Sequence, residues 1–275
     1  MKTLSVASAQ IVSGDGPRAT LPRIDAVSHA AALLGAEVVL FPEGSVHGYD
    51  YDMTESSLRA LAEPVGGPST AEVCAIARRR RIAVLAGIFE QDAGGRLYNT
   101  HLIAFPDGRL LAQRKHNITG IETKANVSPG PRKRTVFTLN GVRCAVMICA
   151  DNGIEGLPDD LRRDRVELRF IPAGAGGDLH AMLHPADLSD PAARERYAEN
   201  RTHVCMTTPF DPEFPKWGTG FVSCNALGPA GARTCHQGHC MIVDGQGVLR
   251  AQAPGTIVRE HMAEQLITAT LEFPD

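Results

Sequence analysis

Apolar and polar positions along this chain switch repeatedly between a strand period and a helix period. "LSVASAQIV" (Leu4 to Val12) opens as a strand, and from Arg18 to Leu34 the residues Ile24, Val27, Ala31 and Leu34 share one helical stripe. "AEVVLFPE" (Ala36 to Glu43) is a buried-strand run that ends at Pro42. Ser69 and Glu72 have capping-box spacing, which predicts a helix running to about Arg80. "IAVLAGIF" (Ile82 to Phe89) is the next buried strand.

Three hairpins follow. "LYNTHLIAF" and "LLAQRKH" flank the turn "PDGR"; "TVFTL" and "VRCAVMIC" flank Asn140-Gly141; "HCMIV" and "VLRAQ" flank "DGQG". Between the second and third hairpins the pattern predicts a helix from about Asp190 to Asn200, with Pro191 suited to its first turn, and then the strand "HVCMTT". Helices interleaved with strands and several hairpins imply an α/β chain with mixed sheets, best met by a two-sheet core with outer helices. No linker, repeat or composition shift divides the chain, so residues 1–275 read as one domain.

Composition narrows the function classes. A net charge of -3 gives no long-range attraction to nucleic acid or an anionic membrane, and the runs Arg78 to Arg81 and Arg132 to Arg134 read as solvated edges. There is no 18-residue apolar stretch to span a bilayer, and the N-terminus lacks the apolar block of a signal peptide. Seven cysteines without framework spacing point to a reducing, cytoplasmic setting. "CHQGHC" (Cys235 to Cys240) and "HAMLH" (His180 to His184) lack the spacing of metal sites, so neither metal nor cofactor is expected.

Three residues at strand ends carry candidate chemistry. Cys149 closes an apolar strand and is followed at once by Ala150-Asp151-Asn152-Gly153, a rigid support for a nucleophile. Glu43 ends a buried strand after Pro42, where burial would raise its pKa and suit it to accept a proton. Lys115 ends a hairpin strand and supplies a cation for an oxyanion. Taken singly, each is also explained as a core thiol, a surface acid or a charged strand edge.

The ordered set "FPEG", "RKH" and "ICAD" resembles the nitrilase superfamily of carbon-nitrogen hydrolases. "SVASAQ", "RYAENRTHV" and "GHCMIVDGQG" extend the likeness over nearly the whole chain. The resemblance implies a four-layer α-β-β-α sandwich, with Glu43 as general base, Lys115 as oxyanion stabiliser and Cys149 as nucleophile. It implies a supporting role for Glu122, which precedes Pro129-Gly130, and a turn-holding role for Asp151. The Ala150 N–H would join the oxyanion site, and Ala173 would line the pocket within "PAGAGG" (Pro172 to Gly177). Expected substrates are small amides or N-carbamoyl compounds. Nitrile hydrolysis, acyl transfer and a non-catalytic binding role on the same fold are the alternatives. The chain departs from the family where many members carry an Arg shortly after the cysteine, which favours neutral or cationic substrates unless Arg162 or Arg163 reaches in. A homodimer or larger assembly is expected, with the "RYAEN" helix and the "LITATLEF" strand as contact elements.

Overall fold

The computed structural model describes residues 1–14, 16–178, 189–192, 218–253 and 263–275. The expected helix after Asp190, the strand "HVCMTT", and the segments "RYAENRTHV" and "HAMLH" lie wholly or mostly outside these residues.

The first half builds one sheet. Strand β1 (Lys2–Gln10) leads through helix α1 (Pro17–Leu33) to β2 (Val38–Leu40), and helices α2 (Glu55–Leu61) and α3 (Pro68–Arg80) lead on to β3 (Ala83–Gln91). The hairpin β4 (Leu97–Ala104) and β5 (Leu110–Arg114) completes this half, followed by the short helix α4 (Gly120–Lys124). Helical crossovers keep β1, β2 and β3 parallel, whereas tight turns make β4 and β5 antiparallel. The second sheet begins with β6 (Val136–Leu139) and β7 (Val142–Val146). A 3₁₀ turn at Cys149–Gly153 and helix α5 (Leu157–Arg163) connect to β8 (Leu168–Ala173) and β9 (Gly176–Asp178). The remaining strands are β10 (Gly220–Asn225), β11 (Leu227–Pro229), β12 (Thr234–Gln237), β13 (Cys240–Val243), β14 (Leu249–Ala253) and β15 (Gln265–Phe273). The sheet orders are β15-β1-β2-β3-β4-β5 and β14-β13-β10-β8-β7-β6, with a small third sheet β11-β12-β9.

Side-chain alternation separates the layers. Leu4, Val6, Val38 and Leu40 of the first sheet meet Cys144, Val146, Leu168, Phe170 and Val222 of the second in the central core. On the outer face of the first sheet, Ala7, Ala9, Val39 and Val84 pack against Ile24, Ala31, Val73 and Ile76 of α1 and α3. On the outer face of the second sheet, Ala145, Met147 and Ile171 pack against Leu157 and Leu161 of α5. The order is therefore helix, sheet, sheet, helix, as expected. Each buried Leu, Ile, Val or Phe contributes about 1.5–3 kcal/mol.

Three local expectations need correction. Leu34 is 64% exposed because α1 stops at Leu33 and turns away from the sheet. The Ser69/Glu72 capping box does not form, because Pro68 opens α3 and its N-cap is Gly67. Glu63 caps it instead, accepting the Ser69 N–H at 3.0 Å, while Glu72 pairs with Arg79 at 3.1 Å. The second sheet's nucleophile-bearing strand ends at Val146 rather than running to Cys149. The Asn140-Gly141 hairpin does form, with both residues at positive φ (46° and 80°), as a tight right-twisted turn requires.

One contact ties the fold to the chain after β2. Gly87 donates its N–H to Ser45 Oγ at 3.0 Å, and its carbonyl accepts from Val46 N at 2.9 Å. A Cβ on Gly87 would lie 2.3 Å from Gly44 N. Gly87→Ala should therefore destabilise the protein by about 1–3 kcal/mol through overpacking, read as a lower urea midpoint at an unchanged m-value.

Candidate active site

The chemistry gathers where strands end. Glu43 follows β2, Lys115 follows β5, Cys149 follows β7, and Gly174 follows β8. β5 runs parallel to β3, because each is antiparallel to β4, so the carboxyl ends of β2 and β5 share one edge. Carboxyl ends of strands are where α/β sheets leave room for ligands.

Lys115 sits fully buried between two buried carboxylates, 2.7 Å from Glu43 Oε1 and 2.8 Å from Glu122 Oε2. Asn99, on β4, donates from Nδ2 to Glu43 Oε1 and to Glu122 Oε1, each at 2.7 Å. The Gly174 N–H satisfies Glu43 Oε2 at 2.8 Å, and the Thr119 N–H and hydroxyl satisfy Glu122 Oε2 at 2.9 Å. Tyr49 closes the roof, its ring centroid 5.8 Å from Lys115 Nζ and its hydroxyl 3.3 Å from Thr119 Oγ1.

Burial sets the protonation balance. It raises the Glu43 carboxyl above its usual range, against the pull of Lys115 and with the neighbouring Glu122 adding to the rise. Burial alone would lower Lys115, but Glu43 and the other acidic groups around it outweigh that and hold the ammonium protonated. Burial also raises the Cys149 thiol, with the Glu43 carboxylate beside it adding to the effect. The cluster therefore pairs a protonated thiol with an adjacent proton acceptor and a fixed cation.

Cys149 is half-buried and adopts φ 48° at the head of the 3₁₀ turn. A non-glycine residue in the left-handed region carries strain of about 1–3 kcal/mol, held here by the structure around it. Such a strand-to-helix turn lifts the side chain clear of the backbone. As the second residue of the turn, Ala150 has no intrahelical acceptor for its N–H, and its carbonyl accepts from Asn117 Nδ2 at 2.9 Å. Asp151 holds the turn through backbone N–H groups that lie outside it. It accepts from the backbone of His116 at 3.0 Å and Asn117 at 2.7 Å, locking the nucleophile turn to the residues after Lys115.

Ala173 ends β8 and is 8% exposed; the next residues, Gly174 to Gly176, form the wall opposite Cys149's turn. Tyr51, Asn225 and His236 hold that wall. The Tyr51 hydroxyl accepts from Gly176 N at 2.6 Å, Asn225 bonds Ala175 N at 2.9 Å, and His236 Nδ1 meets Ala175 O at 3.3 Å while its Nε2 meets Tyr49 O at 2.8 Å. Asn99, Tyr49, Tyr51 and Asn225 escaped the sequence reading, since a polar residue inside a strand or loop has no period of its own. The pattern of Glu43, Lys115, Glu122 and Cys149 found by order along the chain is brought together.

Other candidates are dispersed. Arg162 and Arg163 lie exposed on α5, paired with Asp159 and Asp160 at 2.6 and 2.8 Å. A buried arginine overlooked in the sequence, Arg169 of β8, bonds Asn152 Oδ1 at 2.8 Å and so braces the nucleophile turn from the outer side of the sheet. Cys235 bonds Gly228 O, His236 bonds Tyr49 O, and Cys240 lies against Cys224. Among the described residues no three His, Cys, Asp or Glu side chains are grouped to hold a metal, and no helix is long and apolar enough to cross a membrane.

Burial pushes the Asp151 carboxyl up to about 6, against the N–H groups of Asn117 and His116. A carboxyl raised on folding stabilises the fold fully below its unfolded value of 3.8, and that contribution is lost as pH rises through about 6. Asp151→Asn should therefore gain on wild type by up to about 2–3 kcal/mol between pH 4 and pH 7, measured by paired urea titrations.

The carbon-nitrogen hydrolase family model matches residues 5–273. Hydrolase Rv0480c of Mycobacterium tuberculosis is 30% identical over 235 residues, covering 83% of this chain and 80% of that protein. An (R)-stereoselective amidase of a Pseudomonas species is 30% identical over 150 residues, covering 54% and 52% respectively. Among solved structures, a mutant of Nesterenkonia AN1 amidase from the nitrilase superfamily superposes with a TM-score of 0.71 at 18% identity, covering 98% of this chain and 91% of that one, and it has the same sandwich fold. With a family model spanning almost its whole length and a relative at this level of identity, the chain belongs to the carbon-nitrogen hydrolase family.

Proposed function

We propose that this hydrolase cleaves the C–N bond of a small amide or N-carbamoyl compound through a thioester on Cys149. The observation that carries the reading is the fully buried Lys115 ammonium, fixed between Glu43 and Glu122 and beside the Cys149 thiol. The names of the amidases similar to this chain support the same reaction class.

In the proposed cycle, Cys149 Sγ bonds the carbonyl carbon as Glu43 takes the thiol proton. The carbonyl π pair moves to oxygen, and the oxyanion rests on Lys115 and the Ala150 N–H. Protonated Glu43 then gives its proton to nitrogen, the C–N bond breaks, and amine or ammonia leaves. Glu43 next deprotonates a water, which attacks the thioester; the C–S bond breaks and the thiolate recovers the proton. Glu122 and Asn99 act by position, fixing Lys115 and one oxygen of Glu43. The raised thiol keeps its proton until attack, and the raised Glu43 carboxyl makes its carboxylate a stronger base for taking that proton.

Substrate charge follows from what surrounds the thiol. Glu43, Lys115 and Glu122 sum to one net negative charge, no cation follows Cys149 before α5, and Arg162 and Arg163 are engaged elsewhere. The preferred substrate is accordingly neutral or cationic rather than a free carboxylate, whose recognition calls for a bidentate arginine. We also propose that the chain works as a homodimer or larger assembly.

Ammonia release across amides, N-carbamoyl compounds and nitriles tests the reaction class. Cys149→Ala should abolish turnover while leaving the fold intact, and Lys115→Met should lose about a hundredfold or more. Near-normal turnover in Cys149→Ala would remove Cys149 from the mechanism, whereas loss of a measured activity on stoichiometric alkylation of Cys149 favours an enzyme over a binding role for the fold. For substrate charge, kcat/KM is compared between a free acid and the same compound amidated. The amidated partner is expected to be the better substrate, and a tenfold preference for the acid, about 1.4 kcal/mol, overturns the assignment.

A further inference from the structure

Away from the active site, the surface between β6, β7 and α5 holds an open cleft of about 560 Å³. This is in the size range of small-molecule sites. Five cations line it: Arg132, Lys133, Arg134, Arg143 and Arg163. Its carboxylates are Asp160 and Asp164, so the cleft carries an excess of three positive charges.

Those two acids are already shared. Asp160 pairs with Arg134 at 2.5 Å, Arg163 at 2.8 Å and Arg132 at 3.6 Å. Asp164 takes Arg163 at 3.1 Å and stands 3.9 Å from Arg134 Nε. Arg143 spends Nε and Nη2 on the carbonyl of Asp164, at 3.1 and 2.9 Å. Among the described residues, neither the Lys133 ammonium nor the Arg143 guanidinium forms an ion pair, although Glu167 accepts the Arg143 backbone N–H at 2.9 Å.

Arg134 provides the second, independent observation. Its side chain is only 6% exposed, yet its Nε and Nη1 have no hydrogen-bond acceptor. Buried guanidinium donors ordinarily find acceptors, because leaving them bare forfeits their hydration. Arg134 Nη2 is therefore occupied by Asp160, while Nε and Nη1 on the same rigid plane stay buried and unpaired in the wall of a cationic cleft. An oxyanion with two or more oxygens matches such a fork in charge and shape.

We propose that this cleft is a binding site for a small multivalent oxyanion, of phosphate or polycarboxylate chemistry, with Arg134 as its anchor. It is separate from the thiol site, though Arg132 also bonds the carbonyl of Glu155 at 2.7 Å, just past the nucleophile turn. The excess positive charge within a cleft of limited volume favours a compact anion over an extended polyanion.

Calorimetric titration of the full chain with inorganic phosphate, and separately with citrate, at ionic strength held constant with chloride tests the site. One saturable site per chain is expected, weakened about tenfold or more by Arg134→Gln. Because Arg134→Gln also breaks the Asp160 pair, Lys133→Ala on the exposed rim serves as the second variant and should weaken binding with the fold unchanged. Citrate binding without phosphate binding supports the site and identifies a polycarboxylate ligand. The absence of saturable heat with both anions overturns the proposal, as does equal affinity in wild type and both variants.

Discussion

Everything at the centre of this molecule depends on keeping one ammonium out of water. Lys115 is fully buried, and the desolvation of its charge is offset by two carboxylates at 2.7 and 2.8 Å. Two acids around one base leave a buried negative charge, which is satisfied by donors from four places: Asn99, Thr119, Gly174 and Lys115 itself. A buried ion network is stable only when every member is hydrogen-bonded, and removing one partner strands the others. This requirement links the ends of β2, β5 and β8 to one another through Glu43, Lys115 and Gly174.

The nucleophile is held by a different set of forces. Its turn is strained at Cys149 and is pinned from two sides, by Asp151 reaching the backbone after Lys115 and by Arg169 reaching Asn152 from the outer face. Thus cation and thiol belong to different sheets, yet the Asp151 carboxylate makes their loops one unit. The Gly174 N–H on Glu43 forms a second link between the sheets, so the base is positioned by the same wall that faces the substrate. Preorganisation of this kind places charge before the reaction begins, which is where most electrostatic stabilisation of an oxyanion arises.

The cationic cleft over α5 follows the opposite logic. Its charges lie at the surface, where exposed ion pairs contribute little to stability, and the two available acids do not cover the five cations. In the sequence the run Arg132 to Arg134 reads as a solvated edge. Folding instead tucks the Arg134 side chain beneath α5 while leaving its neighbours on the rim.

The chain's order alone determined a good deal. Alternating periods announced two sheets with outer helices, because a strand buried on one face and a helix buried on one stripe must repeat every 2 or 3.6 residues. Glu43, Lys115 and Cys149 stand at expected strand ends, but it was their order along the chain, in "FPEG", "RKH" and "ICAD", that made them legible through the family resemblance. Tertiary structure decided what has no local signature. The cap of α3 came from Glu63 rather than Glu72, since Pro68 moved the helix start and a nearer carboxylate filled the vacancy. Asn99, Tyr49, Asn225 and Arg169 joined the site because distant partners, 17 positions away for Arg169 and 23 and 56 for Asn99, came within hydrogen-bond reach. Hydrophobic periodicity records which face of an element is buried, whereas a polar contact depends on what arrives opposite that face, and only the folded chain brings the two together.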